Sequence, residues 1–194
     1  MTEESGVRLP FDEEAMHWLS DVMRFALSLT RDRSEAEDLV QDTYLTAQKA
    51  WHQLQPGTDT KAWLFTIARH RFYRITERAE RQVATDAPEL ESLAAAAYTI
   101  QHGSTLADEL ERQDMRDAVR ASMYALPEVY REVAILVDWH DQPYDSVAQI
   151  LGIPVGTVRS RLFRARRLLQ EQLTAYAEDL GITGRSTPQE ARRV

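Results

Sequence analysis

Residues 154–169 read PVGTVRSRLFRARRLL, with five arginines between positions 159 and 167, in a chain of 194 residues whose formal net charge is −8. Val155, Val158, Leu162, Ala165 and Leu169 recur at alternating spacings of three and four, which makes one narrow apolar stripe on a helix. The same periodicity turns Thr157, Arg159, Ser160, Arg161, Phe163, Arg164, Arg166 and Arg167 away from that stripe, with no acidic residue among them. The positive charge is therefore one-sided. Just upstream, PYDSVAQILGIPV predicts a partner helix: Pro143 suits a first-turn position, Val147, Ala148 and Leu151 an apolar face, and Gly152 a left-handed cap. A short helix, a turn with glycine and a second helix rich in Arg, Ser and Thr form the helix-turn-helix pattern, whose second helix enters a major groove. Arginine forks pair with guanine edges or with phosphates, so the chemistry matches the geometry. The competing reading is a solvated basic helix in an ordinary bundle.

Around this segment the composition is that of a water-soluble globular chain, 43% hydrophobic and 28% charged. No run of about 18 apolar residues occurs, and the opening MTEESGVRLPFDEEAM is acidic where a secretory signal is basic and then apolar, so a cytoplasmic protein with no membrane segment of its own is expected. The absence of cysteine excludes disulfides, thiolate nucleophiles and Cys-based zinc sites in this chain. A negative net charge argues against holding nucleic acid by bulk electrostatics, so local charge must decide.

Helical periodicity runs through almost the whole sequence, and the expected class is all-α. The pattern dissolves in the acidic stretch VATDAPELESLAAAAYTIQHGSTLADELE. Two small helical domains joined by a flexible linker are expected, at 1–82 and 113–178, with the acidic linker at 83–112, a short helical piece at its alanine run, and a tail at 179–194.

In the N-terminal domain, Ser34 followed by Glu37 reads as a capping box opening the helix EAEDLVQDTYLTAQKAW. Its core stripe is Ala36, Val40, Tyr44, Ala47 and Trp51, and Asp38, Gln41, Asp42 and Leu45 lie on another face. In isolation that second face reads as a solvated acidic surface. The following stretch, TDTKAWLFTIARHRFYRITERAER, interleaves basic and aromatic residues. Trp63, Leu64, Ile67 and Ala68 read as core, and at least one of Phe65, Phe72 and Tyr73 belongs there too. Such interleaving also suits single-stranded DNA, where rings stack on bases while arginines follow the backbone.

The run ALPEVYREVAILVDWHDQPYDSVAQILGIPVGTVRSRLFRARRLL closely resembles region 4 of sigma factors of the extracytoplasmic-function (ECF) group of the sigma-70 family. AEDLVQDTYLTA and the AWLFTIARH segment resemble that family's region 2, in the family's own order. The resemblance implies an alternative RNA polymerase sigma factor that directs core polymerase to specific promoters, helps open them and acts in stress-responsive transcription initiation. Carried over by position, Asp38, Leu39, Gln41, Asp42 and Leu45 would bind the β′ clamp helices of polymerase. Lys61, Trp63, Arg69, His70, Arg71, Phe72, Tyr73 and Arg74 would take the −10 DNA. Thr157, Arg159, Ser160, Arg161, Phe163, Arg164 and Arg167 would serve the −35 DNA, with Arg159, Ser160, Phe163 and Arg164 as readers; Arg161, Arg166 and Arg167 fall to phosphates or to polymerase. Region 4 would also meet the β flap. Two departures stand out: His70 replaces the usual Asn, which bears on −10 specificity, and Ser146 stands where the family usually carries Glu, read here as a surface difference. The segments WLSDVMRFALSLTRDRSEAED and LTAYAEDLGI most resemble an actinobacterial subgroup held by zinc-binding, thiol-responsive anti-sigma factors.

The alternative function is a stand-alone helix-turn-helix transcriptional regulator, which needs a dimerisation or ligand domain that the N-terminal motifs do not suggest. An enzyme is disfavoured: His17, His52, His70, His102 and His140 are scattered, and no GxSxG, HExxH, Walker or GxGxxG pattern occurs. No catalytic residue, metal or cofactor is expected, and the isolated histidines read as surface or satisfied core groups.

Overall fold

The structure, a computed structural model, describes residues 9–83 and 106–179. Every regular element among the described residues is helical: α1 (Phe11–Glu14), α2 (Leu19–Thr30), α3 (Arg33–Ala50), α4 (Thr60–Val83), α5 (Leu106–Ala125), α6 (Glu128–Ala134), α7 (Tyr144–Leu151) and α8 (Val155–Asp179). Short 3-10 turns follow α1 and α3, and a π-helical turn spans Ile135–Trp139. The all-α expectation holds. The chain divides into two units, residues 1–100 with 135–158, and residues 101–134 with 159–194. The expected linker core, its alanine run and the tail beyond Asp179 lie outside the described residues, but α5 already begins at Leu106, inside the stretch expected to be linker.

The first unit is built on α2, α3 and α4, which pack against one another in pairs, with α7 seated on α4. Its centre is apolar: Val22, Phe25, Ala26, Leu39, Ala47, Leu64, Phe65 and Ala68 are all buried. Phe25 and Phe65 stack at 4.4 Å between ring centroids. Burying each such ring contributes about 1.5–3 kcal/mol. Phe65 is thus the core aromatic of its segment, whereas Phe72 and Tyr73 stay half-exposed. Val147, Ile150 and Leu151 of α7 are buried as well.

Local chemistry sets the helix ends. Asp32, extended at φ −119°, caps α3 by accepting the Glu35 amide at 2.9 Å. The expected capping box at Ser34 and Glu37 is therefore displaced two residues upstream. The physical reason is that Arg31 takes a left-handed φ of 62° to end α2, so the chain re-enters a helix at Arg33 with the Asp32 carboxylate in place. Gly152 does adopt the left-handed cap, at φ 64°, and the Ile153 amide closes back on the Ala148 carbonyl at 3.0 Å. Pro143 sits at the N-cap of α7, one residue before the expected first-turn position.

In the second unit α5 and α6 pack together. Arg131 donates from Nη1 to the carbonyls of Tyr124 at 3.1 Å and Leu126 at 3.4 Å, tying α6 to the end of α5. Met123, Leu126, Val133 and Ala134 are buried there.

Candidate nucleic-acid interface

On α8 the burial follows the apolar stripe closely. Val158, Leu162 and Ala165 are buried and Val155 and Leu169 half-buried, so the intervening side chains must point outward. Arg159, Ser160, Phe163, Arg164, Arg166 and Arg167 are exposed, and Thr157 and Arg161 half-exposed. Phe163 keeps 71% of its surface in solvent, far more than a core aromatic tolerates. An exposed ring amid arginines suits the methyl-bearing edge of a thymine. Arg164 lies 3.4 Å from the Tyr130 hydroxyl and Arg167 pairs with Glu171 at 2.9 Å, so both heads are loosely held at the surface.

On α3, Asp38, Gln41 and Leu45 are exposed, Leu45 at 48%. Leu39 is not with them. At 1% exposure it belongs to the core beside Val40, so of the five residues expected on that face four reach solvent and Leu39 supports them from beneath. Asp42 is half-exposed and accepts two hydrogen bonds from the Arg71 guanidinium across to α4. The hydrogen bond to Asp42 raises the Arg71 pKa above its ordinary value, against a smaller burial effect and with further Coulomb support from the same carboxylate. One residue of the expected polymerase face and one of the expected −10 face therefore form a single pair.

The rest of α4 separates by depth. Trp63 is half-buried and lies 5.9 Å from Trp51. The Arg69 guanidinium rides 4.8 Å above the Tyr73 ring, and Phe72 meets Tyr73 edge to face at 5.4 Å. His70 and Arg74 are exposed beside them. This cluster presents rings and cations together, the combination that grips single strands. Lys61 is apart from it. Its ammonium is 3.0 Å from Asp21 and 3.5 Å from the His140 carbonyl, and lies over the Trp18 and Phe65 rings at 5.3 and 5.7 Å. Burial pushes the Asp21 carboxyl up, but hydrogen bonding and Coulomb attraction from Lys61, and then from Arg24, outweigh it and hold the pKa below its ordinary value.

Two residues are placed otherwise than the sequence reading expected. Ser146 is not a surface residue: it is 8% exposed and donates to the Asp59 carboxylate at 3.0 Å. His140 is neither on the surface nor satisfied: it is 5% exposed, and neither ring nitrogen has a hydrogen-bond partner. Its ring meets Phe25 and Phe65 edge-on, each at 5.4 Å. Burial, with repulsion from Arg24 and Lys61, lowers its pKa to about 4, a small attraction from Asp21 opposing them. Nothing in the periodicity of AILVDWHD signals this, because the burial comes from side chains far away in sequence. Among the described residues no group of His, Asp and Glu is placed to hold a metal ion, and no helix is long and apolar enough to cross a membrane.

These features define a class: a two-unit helical protein that offers duplex DNA a basic helix-turn-helix face and has a ring-and-cation cluster suited to single strands. Residues 15–82 match the family described as Sigma-70 region 2, and residues 116–169 the family described as Sigma-70, region 4. The ECF RNA polymerase sigma factor EcfG of Rhodopseudomonas palustris (strain TIE-1) is 39% identical over 81% of this chain and 82% of its own length. ECF RNA polymerase sigma factor SigL of Mycobacterium tuberculosis (strain Erdman) is 32% identical, covering 93% of this chain and 94% of its own. Among solved structures, the sigma factor RpoE in complex with the anti-sigma factor NepR from Bartonella quintana superposes with a TM-score of 0.70 at 34% identity, over 84% of this chain and 96% of that one. The chain belongs to the ECF RNA polymerase sigma factors of the sigma-70 family. Proteins of this family are regulatory, DNA-binding factors of transcription initiation.

Proposed function

We propose that this chain directs core polymerase to a two-part promoter, with α8 reading the −35 duplex, the Arg69–Arg74 cluster of α4 capturing the unpaired −10 strand, and the outer face of α3 docking the β′ clamp helices. The unit holding α5 and α6 would meet the β flap. The observation that carries this reading is the basic outer face of residues 157–167 of α8, which holds no acidic residue and is raised on a buried stripe directly after a glycine-capped short helix. Arg159, Ser160, Phe163 and Arg164 are the base readers, and Arg161, Arg166 and Arg167 act on phosphates or polymerase. His70, exposed on α4, sets the −10 preference through stacking and hydrogen bonding. The chain performs no chemistry itself, and its site of action is the cytoplasm, where polymerase and promoter meet. An acidic overall charge suits this division of labour, since it limits solitary DNA binding and leaves recruitment to the polymerase.

Control by an anti-sigma factor is part of the proposal, supported by the 34% identity to a sigma factor solved with its anti-sigma partner. The finer assignment, to an actinobacterial subgroup with zinc-binding, thiol-responsive anti-sigma factors, rests on the segments 18–38 and 173–182. With no cysteine in this chain, all thiol chemistry would reside in the partner.

Run-off transcription with sigma-free core polymerase on a pool of randomised promoters tests the proposal. Protein-dependent transcripts that share two spaced motifs are expected. No transcript and no core binding, with duplex binding retained, would instead establish a stand-alone helix-turn-helix regulator.

A further inference from the structure

We infer that residues 135–147 form an intramolecular lock that holds α7 on α4 in a form unable to span a promoter, and that protonation of His140 releases it. The inference rests on the reading of α4 and α8 as the −10 and −35 elements. Those two DNA elements are named for positions about 25 base pairs apart, which is roughly 85 Å of duplex. α4 has 24 residues, so it is about 36 Å long. α8 begins four residues after α7 ends. With α7 seated on α4, the start of the reading helix therefore stays within roughly 40 Å of every residue of α4. A promoter-bound chain must break this contact.

The contact is specific rather than a loose apposition. Ser146 of α7 donates to Asp59, which also caps α4 by accepting the Ala62 amide at 3.0 Å. A glutamate at position 146 would instead set a second carboxylate against Asp59, so the seat requires a small donor. The His140 carbonyl accepts from Lys61 at 3.5 Å and from the Gln142 side chain at 3.0 Å, so the backbone of the lock occupies the lysine expected to serve the −10 strand. The imidazole packs edge-on against the stacked Phe25–Phe65 pair. The chain reaches this position through a π-helical turn and a left-handed Asp141 at φ 51°, two uncommon backbone features that recur at switching sites.

That pocket accepts a neutral ring and rejects a charged one. An imidazolium needs two acceptors, and the ring nitrogens have none. The charged groups that bear on the ring are Arg24 and Asp21 from α2 and Lys61 from α4, and Asp21 is already engaged by both cations. On its own segment Asp138 and Asp141 lie at the surface. The ring's pKa of about 4 in the closed form, against 6.5 when free, fixes the sign. The closed form is favoured above pH 6.5 and loses ground as pH falls from there toward 4. Between pH 7.5 and 5.5 the open-to-closed ratio should rise about tenfold.

The chain has no cysteine, so Gln53→Cys with Asp145→Cys gives it two unique sites for a fluorophore pair, one beside α3 and one at an exposed position of α7. Energy transfer should fall from pH 7.5 to 5.5 with a tenfold change in the ratio, and should stay flat when His140→Leu is added. His140→Phe, which keeps an edge-on ring, replaces the leucine variant if that one fails to fold. Core polymerase with promoter DNA should lower transfer in every variant. An unchanged signal across the pH range, or the same response without His140, overturns the protonation step. High transfer persisting in a transcribing promoter complex overturns the lock. If the chain neither binds core polymerase nor yields a transcript while the His140-dependent pH response persists, the lock stands and the promoter reading fails.

Discussion

Breaking the Asp42–Arg71 pair tests the link between the two faces of the N-terminal unit. Asp42→Asn and Arg71→Gln, singly and together, form a cycle in which each substitution removes a charge, the first at constant size and the second with a shorter side chain. Exposed pairs contribute about 0–1 kcal/mol, and a guanidinium held at both nitrogens belongs at the top of that range. The side chains remain 32% and 33% exposed, so solvent screening rules out a buried-pair value. A coupling of about 0.5–1 kcal/mol is therefore expected at low salt. It should shrink strongly near 1 M salt, where the Debye length is about 3 Å. Denaturant unfolding followed through Trp18, Trp51 and Trp63 measures it. A coupling below about 0.3 kcal/mol at low salt, or one indifferent to salt, refutes the pair as a stabilising link. The same variants separate the functional faces. Asp42→Lys is a poor probe because it sets an ammonium against Arg71, whereas Asp42→Asn should weaken core-polymerase binding and leave isolated −35 duplex binding unchanged. Equal losses in both assays would overturn the assignment of α3 to polymerase.

Arg164→Ala should lose about 1–3 kcal/mol at one −35 base pair in a panel of single-base variants; a uniform loss across the panel would make it a phosphate contact. Phe65→Ala removes a ring at 0% exposure stacked on Phe25, and should cost about 3–5 kcal/mol in denaturant unfolding, whereas a loss under about 1 kcal/mol would mean the core collapses around the gap. Asp32→Ala should destabilise α3 by about 1 kcal/mol while Ser34→Ala is near neutral, and the opposite ranking would return the cap to Ser34.

Much of the helical architecture was legible because its determinants are local. The stripe Val158, Leu162, Ala165 predicted its own burial and, with it, the outward arginines, since a helix of 3.6 residues per turn leaves no other arrangement. Gly152 announced its own left-handed cap for the same kind of reason. Where two local signals competed, reading failed: Asp32 and Ser34 are both good caps, and the choice fell to the one that followed the left-handed Arg31. Leu39 misled because it sits inside a motif whose other members face solvent, while the packing of three helices made its side of α3 interior.

The sequence by itself determined the helical class and which face of α8 is basic, because residues three and four apart interact whatever the rest of the chain does. Only the tertiary structure decided that Asp42 faces Arg71, 29 residues on, that Ser146 meets Asp59, 87 residues back, and that His140 is sealed, with no hydrogen-bond partner for its ring nitrogens, against two stacked phenylalanines. No periodicity links positions so far apart. Their encounter follows from how apolar faces close on one another, and burial then sets the charge each group can carry.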